Sequence, residues 1–361
     1  MYKINTKIKK IIRTRPALYR EKIKKKLLLL DRQEKVINYN QNIINNISKG
    51  IKSQKLNLYP DIPKYYSYIA NQFNIDKNKI FFTEGATGCI KLLIEAYTER
   101  GKNNIVISNP TFPLYKIFAD LYEIKIKKIN YNKNFSLNID SYIKAIDKKT
   151  SIVFLPNPDC PIDFAFNKKE IEKICKYAIK KKVIVAIDEV YFPYNKKSYI
   201  SLINKYSNLF IMRSFSKVYG LAGIRLGFVA SSKKNILYIS KFRSGYEANT
   251  LSLYVASYIL KKKKLINLYL SQIKNSRNYL VSNLTKNNFI VRTHNNANFI
   301  FVDFGSKKKA TQIQNNLRKF RIIVKGNFDG FLKNGILITI ADITSMKKLI
   351  KTLIKIKNKK N

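Results

Sequence analysis

Ser214-Phe215-Ser216-Lys217-Val218-Tyr219-Gly220-Leu221-Ala222-Gly223-Ile224-Arg225-Leu226-Gly227-Phe228 sets one lysine between small hydroxyl residues and an arginine eight residues on. Upstream, Val183-Ile184-Val185-Ala186-Ile187-Asp188-Glu189-Val190-Tyr191 is an apolar run ending in an acid. A lone lysine carries no weight in a chain with 70 lysines and arginines, so the flanking pattern carries the inference. An acid, an amine and a cation in this order suit pyridoxal phosphate. That cofactor needs an amine for a Schiff base, an acid for its pyridine nitrogen, and cations or donors for its phosphate.

On this reading Asp188, at the carboxyl end of a buried strand, faces the ligand crevice and keeps the pyridine nitrogen protonated. A helix cap is the plain alternative for such an acid. Lys217 holds the cofactor and, once displaced, moves protons as general base and acid. Arg225 pairs with the phosphate, where a bidentate fork is favoured, and Ser214 and Ser216 donate to the same group. The turn Gly85-Ala86-Thr87 follows a strand and opens a helix, so its N–H groups, with the Thr87 hydroxyl, suit an anion. Taken alone, that turn is weak evidence. An aromatic in Asn109-Pro110-Thr111-Phe112-Pro113-Leu114-Tyr115 can stack on the ring or pack in the core. Tyr191 and Asn157 can reach the phenolic oxygen; for Asn157 the alternative is a proline-rich turn, Leu155-Pro156-Asn157-Pro158-Asp159-Cys160-Pro161.

These residues need a scaffold. Strands are expected at 78–83, 104–108, 124–129, 151–155, 183–187, 209–212 and 227–230. Helices are expected at 62–73, 89–97, 113–121, 139–146 and 168–180. Apolar strands alternating with amphipathic helices imply a mostly parallel sheet covered on both faces. The pattern changes near residue 245. A long helical region runs from 250 to about 284, followed by strands at 289–292, 298–303 and 335–340 with helices at 310–319 and 344–356. This implies a smaller α+β domain. The divisions are 1–45 as an N-terminal arm joined to the small domain, 46–245 as the large domain, and 246–361 as the small one. The end from Lys355 to Asn361 is expected to fray.

The chain has 361 residues, 45% of them hydrophobic, enough for a sizeable core. Its formal charge of +48 raises the question of a polyanionic partner. The basic residues are spread along the whole chain, with no nucleic-acid motif beside them, so a specific nucleic-acid partner is not expected. Three cysteines, Cys89, Cys160 and Cys175, form no metal-binding spacing and suit a reducing cytoplasm. The one histidine, His294, lies in a polar stretch, which argues against a histidine-based triad or metal site. No apolar run approaches the ~20 residues of a membrane helix. The basic first 26 residues lack the serine-rich character of a transit peptide.

Together the motifs resemble the fold-type I pyridoxal-phosphate aminotransferases, the histidinol-phosphate aminotransferase branch in particular, from about Leu30 to Ile356. Ser214 to Phe228 is similar to the family's lysine signature, and Asp188-Glu189-Val190-Tyr191 to its Asp-Glu-x-Tyr. The resemblance implies an α/β fold-type I PLP-transferase, with a large mostly parallel sheet domain sandwiched by helices and a smaller α+β domain. It makes Phe112 the ring-stacking residue. It also makes Tyr59, in Leu58-Tyr59-Pro60-Asp61, a ligand that crosses to the partner subunit of a homodimer.

The sequence departs from the family in three places. The Asn-Pro-Thr-Gly turn appears as Cys160-Pro161-Ile162-Asp163, so Asn157 or Asp159 must replace the missing asparagine if anything does. Two arginines that bind a substrate carboxylate or phosphate in relatives fall at Lys325 and Leu337. Gln33, in Asp31-Arg32-Gln33-Glu34, replaces an asparagine. Losing one bidentate carboxylate contact costs on the order of 2–5 kcal/mol if unreplaced. Arg32, Arg243 and Lys325 are the candidates for that role. The implied activity is transfer of an amino group between glutamate or a similar donor and a small, phosphorylated oxo-compound. The alternatives are decarboxylation of a phosphorylated amino acid, which tolerates a lost arginine, and a basic nucleic-acid-binding protein that keeps the fold.

Overall fold

The strands of the computed structural model, which describes residues 27–358, are β1 (Leu28–Leu30), β2 (Ile80–Thr83), β3 (Asn104–Asn109), β4 (Lys125–Asn130), β5 (Thr150–Pro156), β6 (Ile184–Asp188), β7 (Leu209–Ser214), β8 (Gly227–Ala230), β9 (Ile290–Arg292), β10 (Phe299–Asp303), β11 (Ile322–Val324) and β12 (Gly335–Thr339). Residues 1–26 of the expected N-terminal arm lie outside the described residues. The protein is α/β, and its described residues form two units. One contains Tyr39–Cys160 and Phe164–Lys263; the other contains 27–38, Pro161–Asp163 and 264–358.

In the first unit seven strands run β2-β8-β7-β6-β5-β3-β4. The pairs from β4 through β7 are parallel, and β8 is antiparallel to both its neighbours. Every residue of β6 and of β7 is buried, as strands covered on both faces require. Helices Gly85–Tyr97 and Leu114–Leu121 pack over one face through Cys89, Ile90, Leu93, Tyr115 and Phe118. Helix Lys168–Lys180 begins at a reciprocal cap: Asn167 accepts from Glu170 N and Glu170 accepts from Asn167 N.

Register brings the functional loops together. Asp188 pairs with Pro156 on one side and Met212 on the other. Thr83 and Ser214 both pair with Gly227. The residues that follow β2, β5, β6 and β7, and those that precede β8, therefore share one sheet edge. Gly227 permits this crowding: a Cβ there would meet Arg213 O at 2.5 Å and Gly85 C at 2.6 Å.

The helical region expected from 250 to 284 is two helices, Thr250–Leu260 and Lys263–Lys286. The first is apolar nearly all round and packs on helices Gln41–Lys52 and Ile62–Gln72. The second buries a narrower stripe, Ile273, Ser276, Arg277, Leu280 and Leu284. The break falls in a run of four lysines, Lys261 to Lys264, where like charges disfavour a continuous helix. Because the apolar helix packs on helices of the first unit, that unit extends to Lys263, while the sequence pattern alone changes near 245.

In the second unit β12-β10-β9 form an antiparallel sheet, and β1 pairs in parallel with β11. The Leu27–Leu30 patch thus supplies a strand that its length alone did not reveal. Helix Ile343–Asn358 continues past Lys355, because Ile356 stays buried where fraying was expected. The Asp163 carboxylate accepts from Thr293 Oγ1 (2.9 Å) and from the backbone N–H groups of His294 (3.1 Å) and Asn296 (3.0 Å). His294 itself is exposed.

Candidate active site

Asp188 is the last residue of β6 and is buried. Its Oδ1 accepts from Val190 N (3.0 Å) and its Oδ2 from the Tyr115 hydroxyl (2.8 Å). Burial lifts its pKa to about 6; the two donors and the nearby Lys217 ammonium oppose the rise, and Glu189 adds to it. Lys217 is half-buried, with Nζ 5.7 Å from the centre of the Tyr191 ring. The site therefore brings an acid, an amine and a phenol together in one unit.

Arg225 has left-handed backbone (φ 54°), the kind of strain often held at functional sites. Its guanidinium donates to Glu84 O (3.2 Å) and Ala222 O (3.3 Å). It lies so close to the turn after β2 that a Cβ on Gly85 would meet Nη2 at 3.0 Å. Gly85 has φ +65° and opens the helix that carries Ala86 and Thr87. A guanidinium over a helix N-terminus is a cradle for a phosphate. Ser214 Oγ, at the end of β7, accepts from Ser216 N (3.1 Å), which folds this hydroxyl pair back beside Lys217.

Phe112 is partly exposed and meets Tyr115 edge-on, with ring centres 6.4 Å apart. Tyr191 is buried, and burial followed by contact with the Cys160 thiol raises its hydroxyl well above 10, so it stays a donor. Asn157 is turned inward: its Oδ1 accepts from Phe166 N (2.7 Å), and its buried Nδ2 has the Tyr199 hydroxyl beside it without a well-formed bond. Asp159 is spoken for. Ser108 Oγ (2.5 Å) and Tyr131 Oη (2.7 Å) donate to its Oδ2, and Thr111 Oγ1 (2.7 Å) to its Oδ1. Of the two residues considered as replacements for the missing asparagine, Asp159 is committed to tying the Ser108–Thr111 loop to the turn after β5.

In the second unit Arg32 lies 3.7 Å from Asp31. Gln33 N donates to Thr339 Oγ1 (2.9 Å), which places this segment beside the end of β12. Lys325 and Leu337 form an isolated antiparallel bridge, with N–O distances of 3.1 and 2.8 Å. Residues directly opposite in such a pair share a face, so Lys325 presents its ammonium on the Leu337 face. Leu337 is also paired with Phe301, whose ring lies 5.9 Å from Phe328, and Lys325 Nζ is 5.6 Å from the Phe328 ring. Arg243, in the first unit, is engaged with Glu247 at 3.1 Å.

Sequence reasoning passed over two sets of residues. One is Tyr115, the direct donor to Asp188. The other is the buried pair Glu189–Arg213 (2.7 Å), where Arg213 stacks on Phe192 at 3.8 Å. Glu189 also accepts from Tyr199 N (2.6 Å) and Ser198 Oγ (2.9 Å). Their signals were adjacency alone: Tyr115 is one helical turn past Phe112, and Glu189 and Arg213 flank Asp188 and Ser214.

A model of the family described as aminotransferase class I and II matches residues 34–352. The chain belongs to that family. It is 30% identical over 308 residues to a histidinol-phosphate aminotransferase of Christiangramia forsetii, covering 84% of this chain and 86% of that one. It is 32% identical over 309 residues to histidinol-phosphate aminotransferase 2 of Oceanobacillus iheyensis, covering 82% of each. The solved histidinol-phosphate aminotransferase of Sinorhizobium meliloti, in complex with pyridoxal-5'-phosphate, shares the fold with a TM-score of 0.88 at 18% identity, covering 100% of this chain and 99% of that one. The histidinol-phosphate aminotransferase of Clostridium acetobutylicum gives 0.83 at 26%, over 92% and 100%. The protein is an enzyme that transfers amino groups, and its cofactor is pyridoxal phosphate. The buried acid, the amine and the Gly85–Arg225 cradle fit that group. Among the described residues no helix is long and apolar enough to cross a membrane.

Proposed function

We propose that this aminotransferase exchanges an amino group between glutamate and a small phosphorylated oxo-compound of the histidinol-phosphate kind. The observation that carries this reading is the placement of Asp188, Lys217, Ser214 and Arg225 on one edge of one sheet, with Arg225 against the Gly85 turn. When bound, pyridoxal phosphate accepts the electron pair left on the substrate's α-carbon. Lys217 holds the cofactor by its Nζ and, when displaced, takes a proton from the α-carbon and returns it as general base and acid. Asp188 keeps a proton on the ring nitrogen. Arg225, Ser214, Ser216 and the N–H groups at Ala86 and Thr87 hold the phosphate, and Phe112 covers the ring. Tyr191 donates to the phenolic oxygen beside Cys160. Asn157 acts on that turn from within, through Phe166 N.

Lys325 is the cation for the substrate's anionic group, and Arg32 is the second candidate. The cross-strand pairing supports Lys325: a point charge replaces a fork, and Leu337 adds none. The active form is a homodimer in which Tyr59 reaches the partner's cofactor. An exposed aromatic stack supports this, Tyr59 on Tyr246 with centres 4.4 Å apart, flanked by exposed Leu56 and Leu58. Three buried cysteines outside any disulfide suit a reducing cytoplasm.

The test uses the protein loaded with pyridoxal phosphate. Glutamate should bleach its visible absorption with formation of 2-oxoglutarate, and L-histidinol phosphate should do the same as an alternative amine. A folded, loaded protein whose absorption survives both amines sinks the proposal.

A further inference from the structure

Asp188 is buried and faces an amine, and nothing in the sequence says how its carboxylate is oriented. The structure gives each oxygen one fixed donor. Val190 N supplies Oδ1 from the next turn of chain, and the Tyr115 hydroxyl supplies Oδ2 from helix Leu114–Leu121 at 2.8 Å. Tyr115 has no exposed surface. Its ring is held against Phe154 at 4.9 Å and edge-on to Phe112 at 6.4 Å. Its own N–H donates to Phe112 O (3.3 Å), so the hydroxyl and the Phe112 ring belong to one rigid turn.

We propose that Tyr115 is a positioning residue for Asp188: its hydroxyl fixes the carboxylate plane and stabilises the ionised form that the ring nitrogen requires. This rests on the assignment of Asp188 to that nitrogen. The phenol keeps its proton to donate here, because burial and the adjacent Asp188 push its ionisation well above 10. A carboxylate oxygen has two lone pairs, so each oxygen of Asp188 keeps one for a further N–H after these two bonds. Glu189 and Lys217 also face Asp188, with opposite effects. The Glu189 charge is already met by Arg213 at 2.7 Å. Tyr115 is thus the neutral side-chain donor that the structure gives Asp188. Without it, the proton shared between acid and ring nitrogen moves towards the acid. The plainer role, an aromatic filling the core against Phe154, is preserved by Tyr115→Phe, which removes the hydroxyl alone.

The experiment has a cofactor-free arm and a loaded arm. In the first, protein labelled with carboxyl-¹³C aspartate is titrated without cofactor, and Asp188→Asn identifies the Asp188 resonance. Tyr115→Phe should raise the Asp188 midpoint by about 1 unit, the size of a lost hydrogen bond to a charged group. An unchanged midpoint in a variant that melts like the parent overturns the proposal. Should the variant fold poorly, ζ-¹³C tyrosine in the unaltered protein replaces it. The Tyr115 resonance must then follow the Asp188 midpoint, and a flat response overturns the proposal. In the loaded arm, ring-¹⁵N cofactor in Tyr115→Phe should shift towards the unprotonated position, with kcat down about tenfold and KM for the amine unchanged. A loaded variant with the parent's ¹⁵N shift also overturns it. If neither protein takes up cofactor, the proposed function fails, and the first arm still decides the role of Tyr115.

Discussion

Asp188, Ser214 and Arg225 belong to strands, or abut strands, whose register fixes them along one edge of a seven-stranded sheet. Lys325 and Leu337 meet through a single bridge beside a three-residue strand in the other unit. The first set keeps the residue types the cofactor's chemistry calls for. For the second, the family resemblance implies one cation lost and another exchanged. A cofactor's amine, acid and phosphate demands are the same whatever the substrate, so residues that meet them leave a contiguous motif. A substrate's anionic group can be met by any cation on the right face, so that requirement leaves pairing geometry and no motif.

The contrast breaks first at Lys217. Lys217→Ala should lower the glutamate half-reaction by more than about 10³-fold in single-turnover absorbance, because it removes the proposed general base. Survival of the reaction would move the chemistry elsewhere. Arg225→Ala should weaken cofactor binding by roughly 10- to 100-fold, read by equilibrium dialysis, since one charge-assisted contact is worth about 1.5–3 kcal/mol. Lys325→Met sharpens the other side. It should raise KM for the anionic substrate about tenfold with kcat much less changed, the signature of uniform binding lost. An equal loss in kcat would place Lys325 with the reacting atoms.

The smallest effect expected is on pH dependence. Burial raises Asp159 to about 7 in the folded chain, against 3.8 ordinarily. The folded state then holds a proton that the unfolded chain has released. Stability from this group is full below about pH 4 and is lost as pH rises through about 7. Cofactor-free Asp159→Asn should therefore show a shallower fall of Tm between about pH 5 and pH 7 than the parent. An identical slope would mean that Asp159 is ionised throughout.

Six of the seven strands of the large sheet were legible because each is a short apolar run between turn residues, while the edge strand β4 carries three lysines around Ile126 and Ile129; helix Lys168–Lys180 was legible because its apolar residues recur at helical spacing. Strands β1 and β11 were not, since three residues carry no period and each exists by pairing with the other across nearly 300 residues of chain. The break at Lys261–Lys262 was missed because both flanking segments are helical and no glycine or proline lies between them; the like charges of Lys261 to Lys264 mark it. Within the candidate site, Lys217, Asp188 and Arg225 could be proposed from neighbours in sequence. Tyr115 could not, since its bond to Asp188 spans 73 residues. Nor could the inward turn of Asn157, which depends on Phe166.

By itself the sequence determined the family, with its cofactor, and the alternation that builds the sheet. Both are local: a motif is a run of neighbours, and amphipathic period follows from backbone geometry. The tertiary structure alone decided which donors orient Asp188, that Asp159 is tied up by three hydroxyls, and that Lys325 shares a face with Leu337. Those depend on which distant segments are brought within hydrogen-bond range, and that is settled only when the strands take their register.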